Sequence, residues 1–130
     1  MHKFTLKLPL NENQKFVDFL QKSIKNVDYL FLIGELGTGK TTLVKLIGKL
    51  LGETKTVNSP SFNYIKIYDK FVHIDAYNLK NGIDDFEDFF DDKLIIVEWA
   101  NLIDYKKYNK QLTIEIKYTK NEDEREYLFY

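Results

Sequence analysis

Residues 34–41 read GELGTGKT, between an uninterrupted apolar run, YLFLI (29–33), and a segment of helical spacing that starts at Lys40 and ends near Gly52. The Gly-x-x-x-x-Gly-Lys-[Ser/Thr] spacing is that of a phosphate-binding loop, and a strand before it with a helix after it is the context that such a loop requires. This one feature constrains the fold, because an apolar run without alternation suits a strand covered on both faces in a parallel sheet. Gly34, Gly37 and Gly39 admit backbone angles that let successive N–H groups turn inward around phosphate oxygens. The following helix N-terminus adds its dipole. On this reading the backbone from Glu35 through Leu36, Gly37, Thr38 and Gly39 cradles a nucleotide. Lys40 neutralises the β- and γ-phosphates, Thr41 presents its hydroxyl to Mg²⁺, and Thr42 reaches the α-phosphate region.

Around the loop the patterns alternate between strand and helix. KFTLKL (3–8) alternates as an edge strand does and is closed by Pro9. Asn11 is placed to cap a helix running to about Ile24, with Phe16, Val17, Leu20 and Ile24 on one face. SFNYIKIY (61–68) and KFVHIDAY (70–77) have a period of two, and the short Asp69-Lys70 connection predicts a hairpin. GIDDFEDFFDD (82–92) spaces Ile83, Phe86, Phe89 and Phe90 as one helical face. LIIVE (94–98) reads as another buried strand, and QLTIEIKY (111–118) with EREYLFY (124–130) as a C-terminal antiparallel hairpin. The expected architecture is a three-layer α/β nucleotide-binding fold, with a mixed sheet that carries antiparallel additions. One domain over residues 1–130 is the economical assignment, since no repeat or linker interrupts the pattern.

A phosphate-binding loop needs an acid on a neighbouring strand to hold Mg²⁺, directly or through water, and that acid typically ends a hydrophobic strand. LIIVE has this form and makes Glu98 the leading candidate. Asp75, in VHIDAY, competes for the metal role and is also placed to orient an attacking water. His73 alternates with Asp75 on the same strand face. A zinc site of several histidines is excluded, because the chain has two histidines and no cysteine.

Other classes drop out on composition. With 19 lysines and arginines against 20 acids and a net charge of −1, the chain lacks the basic footprint of a nucleic-acid binder, so any contact with nucleic acid is expected to be indirect. No stretch approaches the roughly 18 apolar residues of a membrane span, and MHKFTLKLPL has no signal-peptide core. A cytoplasmic protein is expected. The guanine-reading Asn-Lys-x-Asp is absent, NKQL (109–112) being the nearest string. Small-molecule kinases close an arginine-bearing lid over the transferring phosphoryl group. The single arginine here is Arg125, near the C-terminus. That argues against a stand-alone kinase and for an ATPase that is slow unless a partner supplies an arginine. A nucleotide-gated binding module with little turnover remains the other alternative.

In order and spacing, GELGTGKTT, VNSPSF (57–62), HIDAYN (73–78) and VEW (97–99) resemble the TsaE family over nearly the whole chain. The resemblance implies a small ATPase that uses ATP and Mg²⁺ to support the TsaB and TsaD proteins in forming threonylcarbamoyladenosine on tRNA. It implies that Ser59 and Ser61 belong to a switch-like segment near the γ-phosphate, that Glu98 is the Mg²⁺-associated acid, and that Trp99 is its functional neighbour. It also implies a place near the nucleotide for Arg125. Two positions depart from the family pattern: Ser61 stands for threonine, and Asn78 stands where the family has an arginine.

Overall fold

Leu30, Phe31 and Leu32 are completely buried, and the strand that carries them lies at the centre of the sheet. The structure is a computed structural model and describes residues 1–60, 64–79 and 82–130. Its strands are β1 (His2–Lys7), β2 (Tyr29–Gly34), β3 (Ile65–Ile67), β4 (Phe71–Asp75), β5 (Leu94–Glu98), β6 (Gln111–Tyr118) and β7 (Glu124–Phe129). Its α-helices are α1 (Gln14–Ile24) and α2 (Lys40–Leu50). The sheet order is β1-β7-β6-β2-β5-β4-β3. β2, β4, β5 and β6 run parallel, while β1, β3 and β7 pair antiparallel at the two flanks. A mixed α/β fold is therefore observed, with the two expected hairpins in place.

The period-two patterns decide which side chains meet the helices. On the helical side Leu30, Leu32, Phe71, Leu94, Ile96, Leu112, Ile114 and Ile116 form one core with Phe16, Leu20, Leu43, Val44 and Ile47. Phe16 is fully buried, and the rings of Phe4, Tyr127 and Phe129 lie with centroids 4.9–5.8 Å from one another or from its own. The opposite side has its own core of Phe31, Val72, Ile74, Ile95 and Val97, covered by Tyr29, Tyr105, Tyr108 and Trp99. The third layer there is made of 3₁₀ segments and irregular chain.

Three local expectations are corrected. Asn11 does not cap α1: a 3₁₀ turn over Leu10–Glu12 comes first, and Asn13 takes the N-cap position while its side-chain amide donates to the carbonyls of Lys7 and Pro9. Of the strand expected over 61–68, residues 61–63 lie outside those described, and the described part is strand only over β3, which starts after the left-handed backbone of Tyr64 (φ 61°). The acidic segment 82–92 is a 3₁₀ helix over Asp84–Phe89, in which Ile83 is buried but Phe89 is 49% exposed. Four acids within Asp84–Asp88 would face one another at i,i+3 and i,i+4 spacing in an α-helix, and aspartate is a poor helix former. Asp84 instead accepts hydrogen bonds from the Tyr108 hydroxyl and from Lys107 at 3.2 Å, tying the segment to the 3₁₀ turn over Tyr105–Lys107 that precedes β6.

α2 ends as its sequence prescribes. Gly52, at φ 82°, donates to Lys49, and Glu53 donates to Gly48, which is the paired hydrogen bonding of a Schellman cap.

Urea unfolding checks this division of the aromatics. Phe16→Ala is expected to lose about 3–5 kcal/mol, as emptied aromatic sites do. Phe89→Ser is expected to stay within about 0.5 kcal/mol, as exposed positions do.

Candidate functional site

Parallel pairing brings three strand ends to one edge. Leu32 of β2 lies beside Glu98 of β5, and Glu98 lies beside Asp75 of β4. β2 then turns at Gly34 into the glycine-rich loop. A Cβ on Gly34 would stand 2.7 Å from the Thr38 hydroxyl and 2.9 Å from the Ile116 carbonyl, so only glycine lets the loop fold this closely over β6. Gly37 (φ 81°) and Gly39 (φ 110°) adopt left-handed backbone, and Gly39 delivers the chain into α2 at Lys40. Thr38, buried, donates its hydroxyl to the Glu35 carbonyl at 2.8 Å and closes the turn from within.

Lys40 is only 5% exposed. Its ammonium donates to the Gly34 carbonyl at 2.6 Å and the Glu35 carbonyl at 2.9 Å, and lies 4.1 Å from the centre of the Trp99 ring. Burial pushes its pKa below the ordinary lysine value, against the pull of the Glu98 and Asp75 carboxylates. Trp99 reaches this position because its backbone is left-handed (φ 58°), which ends β5 directly after Glu98 and swings the indole back over the loop. Such a conformation costs a bulky residue about 1–3 kcal/mol. Tyr77 packs edge-on against the same ring at 5.1 Å.

Thr41 and Glu98 meet across the strand ends. The Thr41 hydroxyl lies 3.1 Å and 3.3 Å from the two carboxylate oxygens, and His73 Nε2 lies 2.5 Å from Glu98 Oε2. His73 is completely buried, and its Nδ1 has no hydrogen-bond partner among the described residues. Asp75, half-buried, accepts the Tyr77 N–H at 2.9 Å.

The C-terminal hairpin fastens the loop from behind. Tyr118 donates its hydroxyl to the Leu36 carbonyl at 2.5 Å, and Arg125 Nε donates to the Thr38 carbonyl at 3.2 Å while stacking on the Tyr118 ring. Any Cβ on Gly37 would stand 2.8 Å from the Tyr118 oxygen. Two cavities flank the loop. One, about 420 Å³, lies between Glu35, Thr38, Trp99 and Lys117. The other, about 460 Å³ and largely apolar, lies beside Thr42 between Leu8, Leu10 and Leu46.

The protein-family model for the threonylcarbamoyl adenosine biosynthesis protein TsaE matches residues 9–127. The chain belongs to the TsaE family. It is similar to the tRNA threonylcarbamoyladenosine biosynthesis protein TsaE of Bacillus subtilis, 40% identical over 109 residues that make up 78% of this chain and 68% of that protein. It is also similar to the TsaE of Streptomyces coelicolor, 38% identical over 92 residues, which cover 62% of each chain. Among solved structures, Bacillus subtilis YdiB superposes with a TM-score of 0.72 at 32% identity, covering 98% of this chain and 84% of that one. The family's part in tRNA threonylcarbamoyladenosine biosynthesis is thereby this chain's setting.

Within this TsaE chain the residues singled out by sequence fall into four groups. Lys40, Thr41, Asp75, Glu98 and Trp99 come together at the strand ends. Glu35, Leu36, Gly37, Thr38 and Gly39 form the loop, with Leu36 81% exposed and Thr42 at the edge of the apolar cavity. Arg125 meets the loop's outer side through the Thr38 carbonyl, and its other contacts are the carbonyls of Glu122 and Glu124, not a carboxylate. Ser59 is exposed and makes no side-chain hydrogen bond among the described residues, and Ser61 lies outside them. His73 and Tyr118 were not among the expected site residues. The alternation His73-x-Asp75 was the available signal for the first, and nothing local to KYTK announces the second.

Tyr118→Phe tests the fastening. Amide exchange at Leu36–Gly39 should speed up markedly, while global stability falls by about 0.5–1.5 kcal/mol, the net worth of one hydrogen bond. Unchanged exchange would show that the loop holds its shape without the hairpin.

Proposed function

We propose that this chain is an ATP-binding, Mg²⁺-dependent ATPase of the cytoplasm, which supports the TsaB and TsaD proteins in forming threonylcarbamoyladenosine on tRNA and touches the tRNA only indirectly. The observation that carries the reading is the convergence of Lys40, Thr41 and Glu98 at the mouth of a loop whose glycines free its N–H groups. The donor set fits Mg²⁺: a hydroxyl and a carboxylate already share one spot, and a magnesium ion on a nucleotide draws its remaining ligands from phosphate and water.

Each residue then has a task. Loop N–H groups and the α2 N-terminus bind the phosphate chain. Lys40 exchanges its two carbonyl acceptors for phosphate oxygens, which restores a full charge partner to a buried ammonium. Thr41 and Glu98 hold the ion, whose contribution is to screen the charge on the β- and γ-phosphates. Asp75, half-buried next to Glu98, is the group placed to orient a water for attack. With Glu98 marking the γ-phosphate end, the base leaves on the Thr42 side, where Leu8, Leu10 and Leu46 offer an apolar wall. Arg125, held by carbonyls, is not free to stabilise the transferring group, so turnover depends on a charge supplied from outside.

Lys40→Ala should abolish ATP binding in calorimetry. Glu98→Ala should retain binding in EDTA but lower Mg²⁺-dependent phosphate release at least about a hundredfold. Phosphate release by the unsubstituted chain should be slow and should rise on adding cognate TsaB and TsaD. No rise with the partners would remove the pathway assignment, and binding without release under any condition would favour a nucleotide-gated module.

A further inference from the structure

His73 sits where an apolar residue would fit with less difficulty. It lies on the helical face of β4, opposite Ile96, with Phe71 on one side and Asp75 on the other along the same face, and it is completely buried. Its Nδ1, without a partner among the described residues, is a penalty that a leucine would not incur. What offsets it is the contact at Nε2, 2.5 Å from Glu98 Oε2. A bare nitrogen lone pair facing a carboxylate at that distance would be repulsive, so Nε2 carries the proton and donates it.

Glu98 needs such a bond. Its side chain is 8% exposed, and its other partner is the Thr41 hydroxyl at 3.1–3.3 Å, close to the limit for O–H···O bonds. The terminal torsion of a glutamate is soft and two-fold. The short charge-assisted bond from a ring locked inside the sheet is therefore what sets the plane of this carboxylate. Thr41 can donate to the carboxylate in that plane while a lone pair of its oxygen stays available to a cation.

We propose that His73 is a positioning residue for Glu98: through Nε2–H···Oε2 it holds the carboxylate toward Thr41, so Mg²⁺-nucleotide binding depends on a side chain that touches neither ion nor nucleotide. The inference rests on the Mg²⁺-nucleotide reading above and assigns a determinant within it. It differs from a packing role, because packing would affect binding with and without the ion alike.

The test is calorimetric titration of ATP in excess Mg²⁺ and in EDTA, with thermal unfolding of every variant. His73→Leu should lose about tenfold or more of the Mg²⁺-dependent affinity, the usual effect of removing a partner that orients a metal ligand. Its affinity in EDTA should stay within about twofold, well inside the range of surface-level effects. His73→Gln, whose amide nitrogen reaches the Nε2 position, should recover most of the loss, and His73→Asn, one methylene shorter, should not. In a Glu98→Ala background His73→Leu should add nothing further, as coupled residues do. Equal losses with and without Mg²⁺, or no loss at all, would overturn the proposal. Should the leucine variant unfold, equal behaviour of the glutamine and asparagine variants would overturn it instead. Failure of the unsubstituted chain to bind ATP, or to bind it more tightly with Mg²⁺, would overturn the nucleotide reading itself and this inference with it.

Discussion

The parallel register of β2, β5 and β4 governs the site. It sets Leu32, Glu98 and Asp75 side by side at the carboxyl edge of the sheet, two residues before β2 breaks into the loop. Ligands of open α/β sheets bind at this edge because the strands end there and loops can diverge. The apolar runs of β2 and β5 are covered on both faces, and a slip of one residue would send Glu98 to the opposite face. Hydrophobic burial thus fixes the direction in which the carboxylate points, and His73 and Thr41 refine it.

The same packing leaves the loop poised around its own lysine. A buried ammonium needs acceptors, and here the carbonyls of Gly34 and Glu35 serve together with the face of Trp99. Its lowered pKa has the sign expected when burial outweighs nearby carboxylates. Two carbonyls and a ring are weaker partners than a polyphosphate, so the charge imbalance itself favours an incoming anion. Tyr118 and Arg125 meet the loop through the carbonyls of Leu36 and Thr38 and take up none of its N–H groups, of which that of Thr38 donates to the Glu35 carbonyl at 3.2 Å.

How much of this could be read beforehand follows from what each feature depends on. The loop, β2, β5 and the C-terminal hairpin declare themselves through short-range patterns, glycine spacing and period-two alternation, so they were readable along with Lys40, Thr41 and Glu98. The acidic segment misled because phenylalanine spacing suggested a buried helical face, while charge repulsion along Asp84–Asp88 is what decides its form. Asn11 misled because a cap needs the right turn before it, and the 3₁₀ turn over Leu10–Glu12 displaced the helix start. The His73–Glu98 and Tyr118–Leu36 contacts join residues 25 and 82 positions apart, so only strand order and register reveal them. Trp99 is singled out by resemblance alone; its left-handed backbone and its place over Lys40 depend on how β5 ends against the loop, which no local pattern announces.

Trp99 is the chain's single tryptophan, and its ring faces the ammonium that the proposed function assigns to phosphate. Its fluorescence during titration with ATP and Mg²⁺ therefore reports on whether the nucleotide enters the loop. The expected result is a saturable change in emission at one nucleotide per chain, absent in Lys40→Met and displaced by inorganic triphosphate. An emission that stays constant while ATP binds by equilibrium dialysis would show that the nucleotide lies somewhere other than the loop beneath the indole.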